Sequence, residues 1–160
     1  MSEADDTKSM GIIATKGTLD MAYPPLILAS TAAAFGWNVH VFFTFWGLDI
    51  LHKDKMKNLK VSPVGNPNLP APMPNIVGML PGMTSMTTKM MKKEMDEENV
   101  AEIDELVEMC NDAGVDMLAC QMTADLFDYD DDDFVEGTEA GVGAATALEM
   151  MADCDIQLLV

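Results

Sequence analysis

The chain has 160 residues, with 27 acids against nine lysines and no arginine, for a formal charge of −18. That is the length of one ordinary domain, enough to bury about two thirds of its unfolded surface. So anionic a surface repels phosphate backbones and argues against nucleic-acid binding. The charge is also segregated, since every lysine lies at or before Lys93. Two readings fit it: an acidic docking face for a basic partner, or adaptation of a halophilic kind to molar salt, where screening tolerates such a charge.

Three cysteines, Cys110, Cys120 and Cys154, are too few for a disulfide scaffold. No basic segment followed by a short apolar core opens the sequence, so no secretory signal is expected. The implied compartment is the reducing cytoplasm, where thiols do chemistry more often than they staple. His40 and His52 form no Cys/His ligand set, and no metal is expected.

Residues 1–9 are polar and expected to be a disordered N-terminus. Met10 to Thr15 is a short apolar run that predicts a first buried strand. Lys16-Gly17-Thr18 then makes a tight turn in which Gly17 gives the backbone its freedom. Thr18 or Asp20 is positioned to cap a helix, with Pro24-Pro25 expected in its first turn, where missing N–H groups cost little. Residues 26–35 continue it as an almost wholly apolar helix ended by Gly36. Asn38 to Thr44 is rich in β-branched and aromatic residues and reads as a second strand. Phe45-Trp46-Gly47 leaves it, and Leu48 to His52 predicts another helical turn. The low charge from Met21 to Leu48 raises a membrane reading. Pro24-Pro25, Gly36 and the change to strand-type residues oppose it, because a spanning helix needs about 20 continuous apolar residues.

Lys53 to Lys60 carries four lysines, and Val61 to Pro74 carries five prolines, which excludes regular structure. That stretch is too apolar for a free linker and is expected to pack as an ordered loop. The methionine-dense Met73–Met95 segment follows, read as a protomer interface, a partner groove, a lid, or simply a helix packing thioethers on the core. Together these form a Pro/Met-rich insertion at about residues 61–95 within a single domain over 10–160. Val100, Ile103, Leu106, Val107 and Cys110 then recur at helical spacing, and Gly114 ends that helix.

Met117, Leu118 and Ala119 form a brief apolar strand that delivers Cys120 at its carboxyl end. Thr123 is expected to cap a helical turn through Phe127. A cysteine between strand end and helix start lies near unpaired N–H groups that favour its thiolate. The alternative is an ordinary buried core thiol. Four consecutive aspartates, Asp130–Asp133, predict a solvated loop without the EF-hand ligand pattern. Gly137, Gly141 and Gly143 approach a helix over Ala144–Ala152. Gly141-Val-Gly143 is only part of a dinucleotide fingerprint, and no cofactor is expected. Asp153-Cys154-Asp155 reads as a turn, and Ile156–Val160 as a closing strand.

The alternation of strands and helices predicts an α/β fold, a three-layer domain with a mainly parallel sheet and helices on both faces. Sites in such sheets gather beyond the carboxyl ends of strands, the rim shared by Lys16-Gly17-Thr18, Phe45-Trp46 and Cys120.

Five separated motifs carry a resemblance: Phe45-Trp-Gly-Leu-Asp49, Pro63-Val-Gly-Asn-Pro67, Leu80-Pro-Gly-Met83, Thr88-Lys-Met-Met-Lys-Lys93 and Ala119-Cys-Gln-Met-Thr123. In this order, over most of the chain, the sequence resembles the DsrE/DsrF-like sulfur-relay proteins, in the larger branch that often carries a peroxiredoxin-like label. The resemblance implies a compact, flavodoxin-like α/β domain, usually a homo-oligomer. It implies a sulfur carrier or sulfurtransferase whose Cys120 holds sulfane sulfur as a persulfide and passes it to a partner thiol. Cys110, Lys16, Gln121 and Thr123 are auxiliary candidates, with Cys110 either resolving the persulfide or filling an apolar helical position. Rhodanese-like donors and TusA-like acceptors are the implied partners, and some relatives are predicted to touch membranes. A thiol peroxidase is the first alternative, but no Thr-x-x-Cys motif is present and the chain has no arginine to polarise a peroxide. A non-catalytic oligomeric binding module is the second. The acidic loop after Phe127 departs from the short connection the resemblance implies.

Overall fold

A computed structural model describes residues 7–62, 80 and 82–160. Its five strands are β1 (Ser9–Ala14), β2 (Asn38–Phe43), β3 (Asp116–Cys120), β4 (Thr138–Val142) and β5 (Ile156–Leu159). They form one sheet in the order β4-β3-β2-β1-β5, and every neighbouring pair is parallel. The helices are α1 (Leu19–Ala34), α2 (Met83–Glu97), α3 (Ile103–Asp112), α4 (Gln121–Phe127) and α5 (Ala144–Ala152), with short 3-10 turns at Phe45–Ile50, Met56–Asn58 and Asp131–Asp133.

Handedness explains the layers. The steps β1 to β2 and β2 to β3 move the same way across the sheet, so right-handed crossovers put α1 and α3 on the same face, where they pack together. The step from β4 to β5 runs back to the opposite edge, so the same rule sends α5 to the other face. Strand alternation then divides the core. Val39, Val41, Phe43, Met117 and Ala119 face α1 and α3, while Phe42, Leu118, Cys120 and Val142 face Ala147 and Met151 of α5. Gly11 lets α5 approach closely, for a Cβ there would lie 2.8 Å from Met151 Cγ. The predicted three-layer, mainly parallel α/β domain is the fold observed.

Several local expectations differ. Helix α1 starts at Leu19, so Pro24 and Pro25 lie in its interior rather than its first turn, each removing one helical bond. Thr18 occupies the N-cap, but its side chain makes no capping bond. Val100 precedes the N-cap Glu102 of α3 and is exposed. That helix begins instead where the Glu105 carboxylate accepts the Glu102 amide at 3.0 Å. Strand β4 was not expected at all. Its sequence, TEAGV, has neither apolar alternation nor β-branched density, and it forms by pairing with the free edge of β3.

The acidic loop is fastened, although Asp130, Asp131 and Asp132 are exposed. Asp133 O accepts from Lys53 N at 2.9 Å, Asp132 O accepts from Lys53 Nζ at 2.7 Å, and Leu51 O accepts from Val135 N at 3.0 Å. The methionine-dense segment is helical over α2, with Met86 and Met90 exposed and Met91 packed against the core. Residues 1–6 of the expected disordered tail, and the Pro-rich loop with Pro63–Pro67, lie outside the described residues; Ser9, the end of that tail, opens β1. Among the described residues, no helix is long and apolar enough to cross a membrane.

Candidate functional site

Cys120 is the last residue of β3 and the N-cap of α4. The parallel register sets Phe43 of β2 beside Ala119 of β3, so the next residue of β2's extension, Thr44, comes level with Cys120. Thr123 Oγ1 lies 3.1 Å from Thr44 Oγ1 and accepts the Phe45 amide at 3.1 Å. The expected capping role of Thr123 is therefore corrected. It lies inside α4, fully buried, and accepts the Phe45 amide at the end of β2 rather than an amide of its own helix. Phe45 holds a left-handed backbone, φ 48°, a conformation costly for a bulky residue that the Thr123 bond helps hold.

The environment of the sulfur decides its ionisation. Burial alone would raise the Cys120 thiol. The hydroxyls of Thr123 and Thr44, followed by the amides of Thr123 and Met122, outweigh it and hold the thiol below its ordinary range. Bonds donated to the charged form favour that form. With only seven residues in α4, these specific donors rather than a long helix dipole supply the effect. Cys120 is 4% exposed, so the sulfur is covered at the point where β3 passes into α4.

The other candidates are not gathered around it. Cys110 is fully buried on the opposite face of the sheet, where its thiol donates to Leu26 O at 3.5 Å. Burial pushes it up to about 11. Cys154 lies half-buried in the turn before β5, with its pKa raised chiefly by burial. Gln121 follows Cys120 directly, but its exposed amide donates to Asp125 Oδ1 at 2.6 Å. Lys16 is exposed on the β1–α1 turn.

That turn and the β2 exit share one rim. A Cβ on Gly17 would sit 2.0 Å from Trp46 O, and one on Gly47 would sit 2.2 Å from Ala14 O. The two segments are therefore interlocked backbone to backbone. Trp46 stacks on Phe127 of α4 with ring centroids 4.9 Å apart. Phe127 leans on Tyr129 at 5.5 Å. Tyr129 OH donates to Asp49 Oδ1 at 2.6 Å and contacts Lys55 Nζ, which lies 3.3 Å from Asp49. A groove of about 1030 Å³ lies beside this cluster, lined by Lys16, Trp46, Asp49, Lys55 and Lys60 among others. Cys120 is not part of its wall. Sequence reasoning missed Thr44, Asp49, Lys55 and Tyr129 as site neighbours. The one available signal was Thr44, a hydroxyl closing an apolar strand as Cys120 closes the next. Among the described residues, no group of three or more His, Cys, Asp or Glu is arranged to hold a metal ion.

The fold and site define an all-parallel α/β thiol protein in which one of three cysteines is held toward its thiolate at the sheet's carboxyl edge. The sequence profile of the DsrE/DsrF/DrsH-like family matches residues 6–159, and the chain belongs to that family. It is 51% identical over 161 residues to the sulfur carrier protein DsrE2 of Allochromatium vinosum, covering 97% of this chain and 99% of that protein. It is 31% identical over 154 residues to the uncharacterized protein YrkE of Bacillus subtilis, covering 89% and 92% of the two chains.

Proposed function

We infer that this protein is a cytoplasmic sulfur carrier that holds sulfane sulfur as a persulfide on Cys120 and passes it to a partner thiol. The observation that carries this reading is the placement of Cys120 at the carboxyl end of β3 and the N-cap of α4, beside the Thr44–Thr123 hydroxyl pair, where its thiol is held below the ordinary range. Near-full-length similarity to a protein named a sulfur carrier supports it. In loading, the Cys120 thiolate attacks the outer sulfur of a donor persulfide, R–S–SH. A sulfur–sulfur bond forms to Cys120, the donor's own bond breaks, and the donor leaves as R–S⁻. In delivery, an acceptor thiolate attacks that outer sulfur and Cys120 leaves as thiolate. There is no net oxidation in either exchange. The same hydroxyls serve both directions, because they stabilise Cys120 as attacking and as leaving group.

Rhodanese-like donors and TusA-like acceptors fit this chemistry as partners, and a homo-oligomer is the working form. In this reading Thr123 and Thr44 are positioning residues, while Cys110 is a core thiol that transfer does not need. Incubating the reduced chain with polysulfide tests it, read by intact mass as a gain of about 32 Da for one sulfur atom. The gain is expected to disappear in Cys120→Ser and to persist in Cys110→Ser. A gain that survives Cys120→Ser refutes the assignment.

A further inference from the structure

Four large apolar side chains on the two segments that follow β2 and β3 are left open to solvent. Phe45 is 47% exposed, Trp46 61%, Met122 63% and Leu126 62%. All four belong to the segments that build the site. The Phe45 amide bonds Thr123, Met122 lies in the first turn of α4 two residues after Cys120, Trp46 stacks on Phe127 of α4, and Met122 and Leu126 share one helix face at i, i+4 spacing. An exposed apolar cluster with a polar surround marks an interaction site more often than solvent-facing chance.

Charge identifies the occupant. Asp125, Asp128, Asp130, Asp131 and Asp132 are exposed on the same helix and the loop that follows it, and no cation occurs from Glu94 to the end of the chain. Of the neighbouring lysines, Lys53 meets the Asp132 carbonyl and Lys55 meets Asp49 and Tyr129, while Lys16 and Lys60 line the groove beside Trp46. We propose that the Phe45–Trp46–Met122–Leu126 rim docks a basic protein segment that presents its own thiol beside apolar residues, the acceptor in the transfer step. This rests on the sulfur-carrier reading and deepens it. A second copy of this chain would bring like charges face to face across a two-fold contact, and an anionic bilayer would be repelled. Loading fits the geometry as well, since an added sulfur lengthens the Cys120 side chain by about 2 Å. In the transfer itself the partner thiolate bonds the outer sulfur, the bond to Cys120 breaks, and the electron pair returns to Cys120 as thiolate.

The test uses the full chain carrying Trp37→Phe, so that tryptophan emission reports Trp46 alone. Two short peptides serve as probes, one with a serine among leucines and arginines, the other with glutamates in place of the arginines. The basic peptide is expected to shift Trp46 emission at low salt and the acidic one is not. Affinity should fall at least about tenfold when salt rises to about 0.5 M, where the screening length is only a few ångströms. It should fall by a similar factor in Leu126→Ser and in Asp125→Lys. With cysteine restored to both peptides, polysulfide-loaded protein should give its sulfur about tenfold faster to the basic one, as steering by charge allows. Equal behaviour of the two peptides overturns the proposal. So does a Trp46 shift produced by neutral phosphatidylcholine vesicles instead, or self-association abolished by Leu126→Ser. A chain that binds the basic peptide but takes up no sulfur contradicts the carrier reading alone; one that loads sulfur but ignores peptide charge contradicts the docking surface alone.

Discussion

Replacing Thr123 with valine keeps the shape of a fully buried side chain and deletes one oxygen. That oxygen meets three partners: the Phe45 amide at 3.1 Å, the Thr44 hydroxyl at 3.1 Å and the Cys120 sulfur. A hydrogen bond to a charged group contributes about 1.5–3 kcal/mol. Its loss should therefore raise the Cys120 pKa. The Phe45 amide loses its acceptor at a left-handed residue, and Phe45 is half exposed, so the stability lost at neutral pH should be about 1 kcal/mol. The assay is the rate of Cys120 alkylation by iodoacetamide against pH, read by peptide mass. The midpoint should move up while the plateau rate at high pH is kept, and Thr123→Ser should restore the original midpoint. An unmoved midpoint in folded Thr123→Val protein refutes the idea that these hydroxyls set the ionisation.

The two buried cysteines act oppositely on stability against pH. Cys120 is held below its ordinary value, so its contribution is present above about 9 and fades as pH falls through the lowered value. Cys110 is raised from 9.0 to about 11, so its contribution is full below 9 and is lost as pH rises through 11. Urea unfolding should therefore show an alkaline loss of about 3 kcal/mol from Cys110, which Cys110→Ala flattens. Gly47→Ala forces a Cβ onto the Ala14 carbonyl at 2.2 Å and should lower stability by about 3 kcal/mol, the upper range for overpacking, read by denaturant midpoint. Tyr129→Phe removes the 2.6 Å bond to Asp49 and the contact to Lys55. It should destabilise by about 1–3 kcal/mol while leaving the alkylation midpoint of Cys120 in place; a shifted midpoint would mean the Tyr129 cluster reaches the thiol.

Much of this fold was legible because the central strands β1, β2 and β3 are largely buried on both faces and even the edge strand β5 keeps three apolar residues of four. Met10–Thr15, Asn38–Thr44, Met117–Ala119 and Ile156–Val160 are apolar runs that a parallel sheet requires, and Gly36 and Gly114 end their helices at φ 78° each. Strand β4 was illegible, since an edge strand half open to water needs little apolar pattern and takes its conformation from β3. Cys120 was visible from its place between a strand and a helix. Its activating partners were only half visible. Thr123 looked like a local cap, but its oxygen is recruited by Phe45, 78 residues away in sequence, and the Asp49–Lys55–Tyr129 cluster is likewise tertiary. The acidic loop read as solvated because its side chains are; its carbonyls, which sequence does not advertise, fasten it to Lys53.

Transfer is the decisive step. Polysulfide-loaded protein, freed of excess reagent and mixed with a thiol acceptor, should lose about 32 Da as the acceptor gains the same mass, one sulfur for one. The exchange should be absent in Cys120→Ser and slowed in Thr123→Val. Sulfur that stays on the protein, or leaves only as disulfide formation at Cys120, would contradict the account.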